Sequence, residues 1–343
     1  MDKKDLINLL RVCSKMTLDK GDEEVIFNCL KNFEENIADI LEKHKIHLLF
    51  LKHIDKLSCA DRLNKALREK YSNQLFCLQF KYEEYLMYLK NVANRQESQN
   101  VKYAVLKGFS FMDSLYMCDG IVYRPFADVD ILISRSDIKR TDDILKEMGL
   151  IQGRILERNI IPANRQDIIY WELNSHQLHE YISFSKYSKI SPTYRIEFDI
   201  NTTIFEGGKK IDPIIPEKIL CHRIKKKCSD GVQFYCLDFT FGLLQLCYHF
   251  YKDTKYEVKK FMHDDYCLLK FCDIREYVLK YKNEINWNEF ISVVNASGIG
   301  KQIHYSLWNV SKFYGDLGID SILQHLETSG TDCDQDINWE LLL

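Results

Sequence analysis

Two aspartates spaced two residues apart give this chain its clearest chemical feature. Asp128 and Asp130 lie in the run from Ala127 to Ser134, whose apolar residues predict a strand. Side chains alternate between the two faces of a strand, so the two carboxylates project together while Val129 points the other way. Neighbouring carboxylates repel each other, and a shared cation relieves that repulsion. Hard oxygen ligands of this kind favour Mg²⁺, which binds one or two carboxylates together with substrate phosphates.

The segment before the aspartates predicts a strand followed by a short helix. The apolar residues from Tyr103 to Leu106 predict a buried strand, and those from Phe109 to Met117 have helical spacing. Lys107 and Gly108 lie between these two elements. The sequence therefore places a cation and a flexible backbone position near the start of a helix.

A second pair of acids lies on a separate strand. The run from Tyr194 to Asn201, YRIEFDIN, alternates apolar and polar residues. Glu197 and Asp199 therefore share one face of this strand, with Phe198 on the opposite face.

These motifs resemble a known family. Lys107-Gly108 after a strand, then Arg124, then Asp-x-Asp on the next strand, is similar to the nucleotidyltransferase fold of the polymerase-β superfamily. More narrowly, the chain resembles a bacterial family of uncharacterised nucleotidyltransferases, which carries LKG, an arginine and D-x-D-x-L at this spacing. The resemblance is strong over residues 103–134 and looser over most of the remaining chain. Phe109 departs from the wider superfamily, and Asn201 stands where the family typically has histidine.

The resemblance implies a metal centre and its ligands. Asp128 and Asp130 would hold Mg²⁺, with two ions expected and Mn²⁺ as a substitute. Two-metal transfer needs a further carboxylate from another strand, because two close cations need more anionic ligands than one Asp-x-Asp pair supplies. Asp199 is the expected third ligand and catalytic residue, and Glu197 is the alternative.

The same resemblance implies a phosphate-binding segment. Lys107, Gly108 and Ser110 would hold the β- and γ-phosphate oxygens of a nucleoside triphosphate. A lysine beside a glycine suits this role because the backbone can come close to the phosphate, although Lys107 could also be a surface residue. Arg124 has two open interpretations, pairing with Asp128 or binding a phosphate oxygen through its planar guanidinium.

The activity implied is transfer of a nucleoside monophosphate from an NTP, with ATP the first choice, to an acceptor with release of pyrophosphate (EC 2.7.7-type). The acceptor is a small molecule, or a peptide or protein. One rival is an AMPylating regulator of a toxin-like partner, which applies the same chemistry to a protein. The other is a non-catalytic nucleotide-binding or scaffold module.

The expected fold is α/β (α+β), a small mixed sheet with flanking helices and helical regions at both ends. Three regions are expected: an N-terminal helical region (1–98), a catalytic domain (99–238) and a C-terminal helical domain (239–343). Residues 167–173 predict a strand, and the basic run 223–227, RIKKK, is interpreted as a solvated helix face.

Composition sets limits on partners and location. A net charge of −3 argues against a general nucleic-acid binder, which would normally be basic. The 12 cysteines include no Cys-x-x-Cys pair, which favours a reducing compartment over a disulfide framework. No uncharged run is long enough to span a membrane, and the N-terminal apolar stretch is too short for a signal peptide. We therefore expect a cytoplasmic protein without a membrane partner.

Overall fold

The computed structural model describes residues 2–31, 33, 35–156, 159–186, 195–205, 214–255, 267–327 and 337 of this 343-residue chain. Its α-helices are α1 (Lys3–Cys13), α2 (Lys20–Lys31), α3 (Glu35–Lys43), α4 (His47–Lys56), α5 (Lys65–Ser98), α6 (Lys107–Leu115), α7 (Ile138–Glu147), α8 (Arg165–Asn174), α9 (Ile214–Cys221), α10 (Phe239–Lys255), α11 (Leu268–Tyr281), α12 (Trp287–Ala296), α13 (Gly300–Tyr314) and α14 (Asp320–Glu327). Its strands are β1 (Tyr103–Val105), β2 (Met117–Cys118), β3 (Ile121–Val122), β4 (Val129–Ile133), β5 (Ile151–Leu156), β6 (Asn159–Pro162), β7 (Tyr181–Phe184), β8 (Arg195–Asn201), β9 (Arg223–Lys227) and β10 (Gln233–Leu237).

These elements form two compact units, each built from segments that are distant in sequence. The first unit comprises residues 1–79, 114–125 and 246–343, and the second comprises residues 80–113 and 126–245. The long helix α5 begins in the first unit and ends in the second.

The first unit is mostly helical. Its described elements include α1 to α4 and α11 to α14, together with the two-stranded β2–β3 hairpin. Aromatic side chains pack in its core, where the Phe250 and Phe271 rings meet edge to face at 4.7 Å between centroids. This edge-to-face geometry is a favoured arrangement for buried rings.

The second unit is organised around a mixed sheet. Its eight described strands lie in the order β6-β5-β7-β8-β4-β1-β10-β9. The pairs β4–β8 and β1–β10 are parallel, and the other neighbouring pairs are antiparallel. The mixed α/β fold that the sequence predicts is confirmed, although the sheet is larger than the small sheet expected.

The central strands of this sheet are buried, as their apolar sequences predict. Every residue of β1 and of β4 is buried, and so are the last six residues of β8. Strands covered on both faces read as near-continuous apolar runs, so the acids within β4 and β8 stand out against their surroundings.

Two local predictions are wrong. Residues 167–173, expected as a strand, lie in helix α8, which begins at Arg165 after Asn164 caps it by accepting the Asp167 N–H at 2.9 Å. The basic run 223–227, expected as a helix face, is the edge strand β9, paired antiparallel with β10. Tertiary pairing with β10 overrides the local preference of the basic run, whereas α8 begins at a local Asn164 cap.

Among the described residues, no helix combines the length and apolar character needed to cross a membrane.

Candidate functional site

The candidate acids come together because β4 and β8 are parallel neighbours. In the register of this pair Asp130 lies opposite Asp199, and Val129 lies opposite Phe198. Both carboxylates are buried, with Asp130 3% exposed and Asp199 8% exposed. Asp128 directly precedes β4, on the same alternation as Asp130. The fold thus concentrates negative charge in a buried part of the sheet.

Asp130 has two side-chain donors on one oxygen. The Lys107 Nζ lies 2.7 Å from Asp130 Oδ1, and the Asn201 Nδ2 donates to the same oxygen at 3.1 Å. Asn201 also donates to the backbone carbonyl of Asp199 at 3.2 Å. The sequence marked Asn201 only as a departure from the family, whereas the structure places it between the two acids.

Asp199 has an uncompensated carboxylate oxygen. Its Oδ1 is buried and accepts no hydrogen bond from any described residue. Burial, followed by the nearby charges of Asp128 and Asp130, raises the pKa of Asp199 well above its ordinary value, and Lys107 opposes this shift. A buried acid of this kind is stabilised either by a proton or by a cation.

Lys107 is held as a charged counter-ion. Burial alone would lower the pKa of its ammonium, but the carboxylates of Asp130 and Asp128 outweigh burial and raise that pKa. Its backbone has a φ of 49°, in the left-handed region that non-glycine residues adopt at a cost. A strained backbone that holds a lysine against a buried acid is a feature found at functional sites.

Helix α6 presents its first turn next to this lysine. Gly108 is buried, and the Ser110 hydroxyl donates to the Lys107 carbonyl at 2.7 Å. The Ser110 carbonyl accepts from the Lys226 Nζ at 2.7 Å, and Lys226 also pairs with Asp113. Lys226 lies in the basic run that was predicted to be a solvated helix face. Its two contacts instead connect β9 to α6. Free N–H groups at a helix N-terminus attract anions.

Glu197, the alternative third acid, has a charged partner of its own. Its Oε2 lies 2.5 Å from the Arg195 Nε. Burial raises the pKa of Glu197, and Arg195 opposes that shift. Because Asp199 faces Asp130 across the strand pair, the geometry favours Asp199 over Glu197 as the third carboxylate.

Arg124 lies in the first unit, whereas the other candidates lie in the second. Its guanidinium forms two hydrogen bonds with the Asp273 carboxylate, at 2.8 Å from Nε and 2.6 Å from Nη2. The Tyr116 hydroxyl donates to the same carboxylate at 2.7 Å. The sequence indicated Asp128 or a phosphate as the partner of Arg124, and gave no sign of Asp273.

The donor set suits Mg²⁺, but the side chains are not arranged to hold it as they stand. Within the described ranges, no group of three or more His, Cys, Asp or Glu residues is placed to bind a metal ion. The Asp130 carboxylate forms an ion pair with the Lys107 ammonium instead. The buried, unpartnered Oδ1 of Asp199 is nevertheless the kind of hard oxygen that Mg²⁺ binds.

The fold and this centre define an α/β protein whose mixed sheet carries a buried acidic cluster. The profile of the family described as "Uncharacterised nucleotidyltransferase" matches residues 33–315. The match spans most of the chain, and the chain belongs to this family.

One solved structure that is similar to this chain is that of an antigenic nucleotidyltransferase-like protein from Paracoccidioides brasiliensis. It shares 16% sequence identity at a TM-score of 0.40, over 71% of this chain and 93% of that protein. No curated protein matches the chain.

Proposed function

We propose that this protein is a metal-dependent nucleotidyltransferase of the polymerase-β type. It moves a nucleoside monophosphate from an NTP, with ATP the first choice, to an acceptor and releases pyrophosphate. The observation that carries the proposal is the pairing of Asp130 with Asp199 on adjacent parallel strands, beside a lysine at a helix N-terminus. The family supports nucleotidyl transfer as the reaction.

Each residue of the centre has a role in this proposal. Asp128, Asp130 and Asp199 would hold Mg²⁺, or Mn²⁺ in its place. Bound there, the metal supplies charge stabilisation on the phosphates and lowers the pKa of the acceptor group. The first turn of α6, with Gly108 and Ser110, offers backbone N–H groups to the phosphates.

Lys107 takes part in this reaction through its charge. Its ammonium neutralises Asp130, at 2.7 Å from Oδ1. Its side chain is 21% exposed, so part of it is open to solvent and to an incoming anion. In the proposed reaction it contacts the β- or γ-phosphate, which retains negative charge in the departing pyrophosphate.

The acceptor class is open to a peptide or protein as well as a small molecule. Large apolar side chains are exposed on β5, β6 and α8, three consecutive elements of the second unit. Contiguous patches of exposed apolar side chains are typical of surfaces that bind proteins, and Leu156 and Tyr170 would belong to such a surface here. This observation favours a polypeptide acceptor.

A cytoplasmic location is part of the proposal. The cysteines in the described segments are free thiols, as a reducing compartment requires.

The test of activity measures pyrophosphate release from each NTP with Mg²⁺ and two acceptor pools, the small molecules and the proteins of a cell extract. Mass spectrometry then looks for the added nucleotide in each pool. Release by wild type that Asp130→Asn abolishes supports the proposal. Intact NTP binding without release from either pool supports the non-catalytic module.

A further inference from the structure

The hydroxyl of Tyr85 forms hydrogen bonds with the backbone near the N-terminal ends of both acid-bearing strands, β4 and β8. Tyr85 lies on α5, within the second unit, and is completely buried. Its proton is shared between the carbonyl oxygens of Ala127 at 3.0 Å and Arg195 at 3.1 Å, and its oxygen accepts the Glu197 N–H at 2.9 Å. Ala127 immediately precedes Asp128. One hydroxyl group thus holds the backbone on which the candidate acids are mounted.

The ring of Tyr85 contacts the same segments through three phenylalanines. Its centroid lies 5.1 Å from that of Phe126, 6.2 Å from Phe198 and 6.3 Å from Phe109. Phe109 is the residue between Gly108 and Ser110, and Phe198 is the residue between Glu197 and Asp199. Three segments of the second unit carry the candidate residues: the start of α6, the residues that lead into β4, and β8. In each of them, a phenylalanine next to or near the candidate residues contacts the Tyr85 ring. The contact also explains why Phe109 suits this chain, although it departs from the wider superfamily.

A lysine one helical turn earlier strengthens the same connection. The Lys81 Nζ donates to the Phe126 carbonyl at 2.6 Å and to the Ala127 carbonyl at 3.0 Å, and it lies 4.5 Å from the centre of the Phe126 ring. Residues four apart share one face of a helix, so Lys81 and Tyr85 reach the same loop. Because Lys81 and Tyr85 both donate hydrogen bonds to this backbone, its carbonyls have little freedom to move. The position of the Asp128 backbone is therefore fixed.

We propose that Tyr85 is a positioning residue that sets the spacing of the metal-binding carboxylates. It touches neither the metal nor the nucleotide. It acts through Ala127, Arg195 and the backbone of Glu197, which lead into the acids of β4 and β8. This inference rests on the proposed function, because the spacing matters only if the acids share a cation.

The test compares two isosteric variants of the same helix. Tyr85→Phe removes the hydroxyl and keeps the ring. Tyr82→Phe is the matched control, because Tyr82 is also buried and its ring also packs on Phe109, at 5.6 Å, whereas the bonds to Ala127, Arg195 and Glu197 are made by the Tyr85 hydroxyl. Free Mn²⁺ is measured by electron paramagnetic resonance during titration in the presence of a non-hydrolysable NTP, and urea unfolding is measured in parallel.

We expect Tyr85→Phe to weaken Mn²⁺ binding by roughly tenfold, the effect of losing about one net hydrogen bond, and to broaden the spectrum of bound Mn²⁺. We expect Tyr82→Phe to bind as wild type does, whatever its stability. If the role of Tyr85 is merely structural, the urea midpoint falls while Mn²⁺ affinity of the folded protein is unchanged, and this result overturns the inference.

A second variant keeps the test decisive if Tyr85→Phe folds poorly. Phe109→Leu leaves the hydroxyl in place and removes one ring that Tyr85 contacts, so weaker triphosphate binding is expected, and wild-type affinity would count against the inference. Failure of the proposed function looks different. In that case wild type and Asp130→Asn show the same Mn²⁺ binding, and both proposals are overturned together.

Discussion

At the scale of single residues, the ion pair between Lys107 and Asp130 makes an unusual prediction. Lys107→Met removes a positive charge 2.7 Å from a candidate metal ligand, so Mn²⁺ alone should bind more tightly. The same change should weaken NTP binding by roughly ten- to a hundredfold, the effect of losing a charge-assisted contact, and leave NMP binding nearly unchanged. Calorimetry with each ligand measures all three values. A parallel loss of NTP and NMP affinity would show that Lys107 shapes the cleft instead.

Asp199 leads to a prediction about stability and pH. Burial, followed by Asp128 and Asp130, raises the pKa of Asp199 in the folded protein. The protonated acid therefore contributes to the free energy of unfolding fully below the ordinary aspartate pKa of about 3.9. This contribution is lost as the pH rises through the folded-state pKa. Without metal, Asp199→Asn should therefore be more stable than wild type at pH 8, and the difference should shrink toward pH 4. Thermal melts in EDTA across this range measure it. A less stable variant at pH 8 would mean that the charge of Asp199 is already compensated.

At the scale of elements, β9 stabilises α6 through one lysine. Lys226 bonds the Ser110 carbonyl and pairs with Asp113, whereas the adjacent Lys225 pairs with Glu97 at an exposed position. Lys226→Met should cost about 2 kcal/mol of unfolding free energy, and Lys225→Met should cost less, because its pair with Glu97 is exposed to solvent. Urea unfolding of both variants checks this ranking. Equal losses would assign the effect to the strand edge and not to α6.

The elements also show where local sequence is informative. Strand alternation placed Asp128 with Asp130 and Glu197 with Asp199, because periodicity is a local property. The prediction for helix α8 was wrong because its β-branched and aromatic residues favour a strand. None of its residues is buried, so its sequence has no apolar face with helical spacing.

At the scale of the whole molecule, the sequence could not show which distant segments join. The register that sets Asp130 opposite Asp199 depends on strands separated by three intervening strands and two helices in the chain. The Arg124–Asp273 pair likewise joins residues 149 positions apart. Such contacts arise from tertiary packing, on which a single sequence carries no local signal. The three-region division drawn from the sequence remains a prediction beside the two units of the structure.

Acid should destabilise the molecule through buried histidines of the first unit. Burial and, second, Lys52 lower the pKa of His53 to about 3, and burial lowers the pKa of His47 to about 4. A depressed folded-state pKa gives stability that is present above the ordinary histidine pKa of about 6.5 and is lost as pH falls toward these values. The urea midpoint should therefore drop between pH 7 and pH 4.

A pair of variants isolates this effect. His53→Gln retains a donor for the Lys15 carbonyl, which His53 contacts at 2.8 Å, and should flatten the pH dependence. The exposed His325→Gln should leave it as in wild type. Equal pH profiles for all three proteins would remove His53 from the explanation.

The central claim is that Asp130 and its neighbours bind a metal–triphosphate complex. Isothermal titration calorimetry with Mg²⁺ and a non-hydrolysable NTP tests it most directly, because it needs no knowledge of the acceptor. Asp130→Asn keeps the side-chain volume and removes the ligand charge, so its affinity should fall by roughly ten- to a hundredfold. Glu197→Gln, whose wild-type carboxylate is paired with Arg195, should bind nearly as wild type does. Equal affinity of wild type and Asp130→Asn, with or without Mg²⁺, would contradict the account.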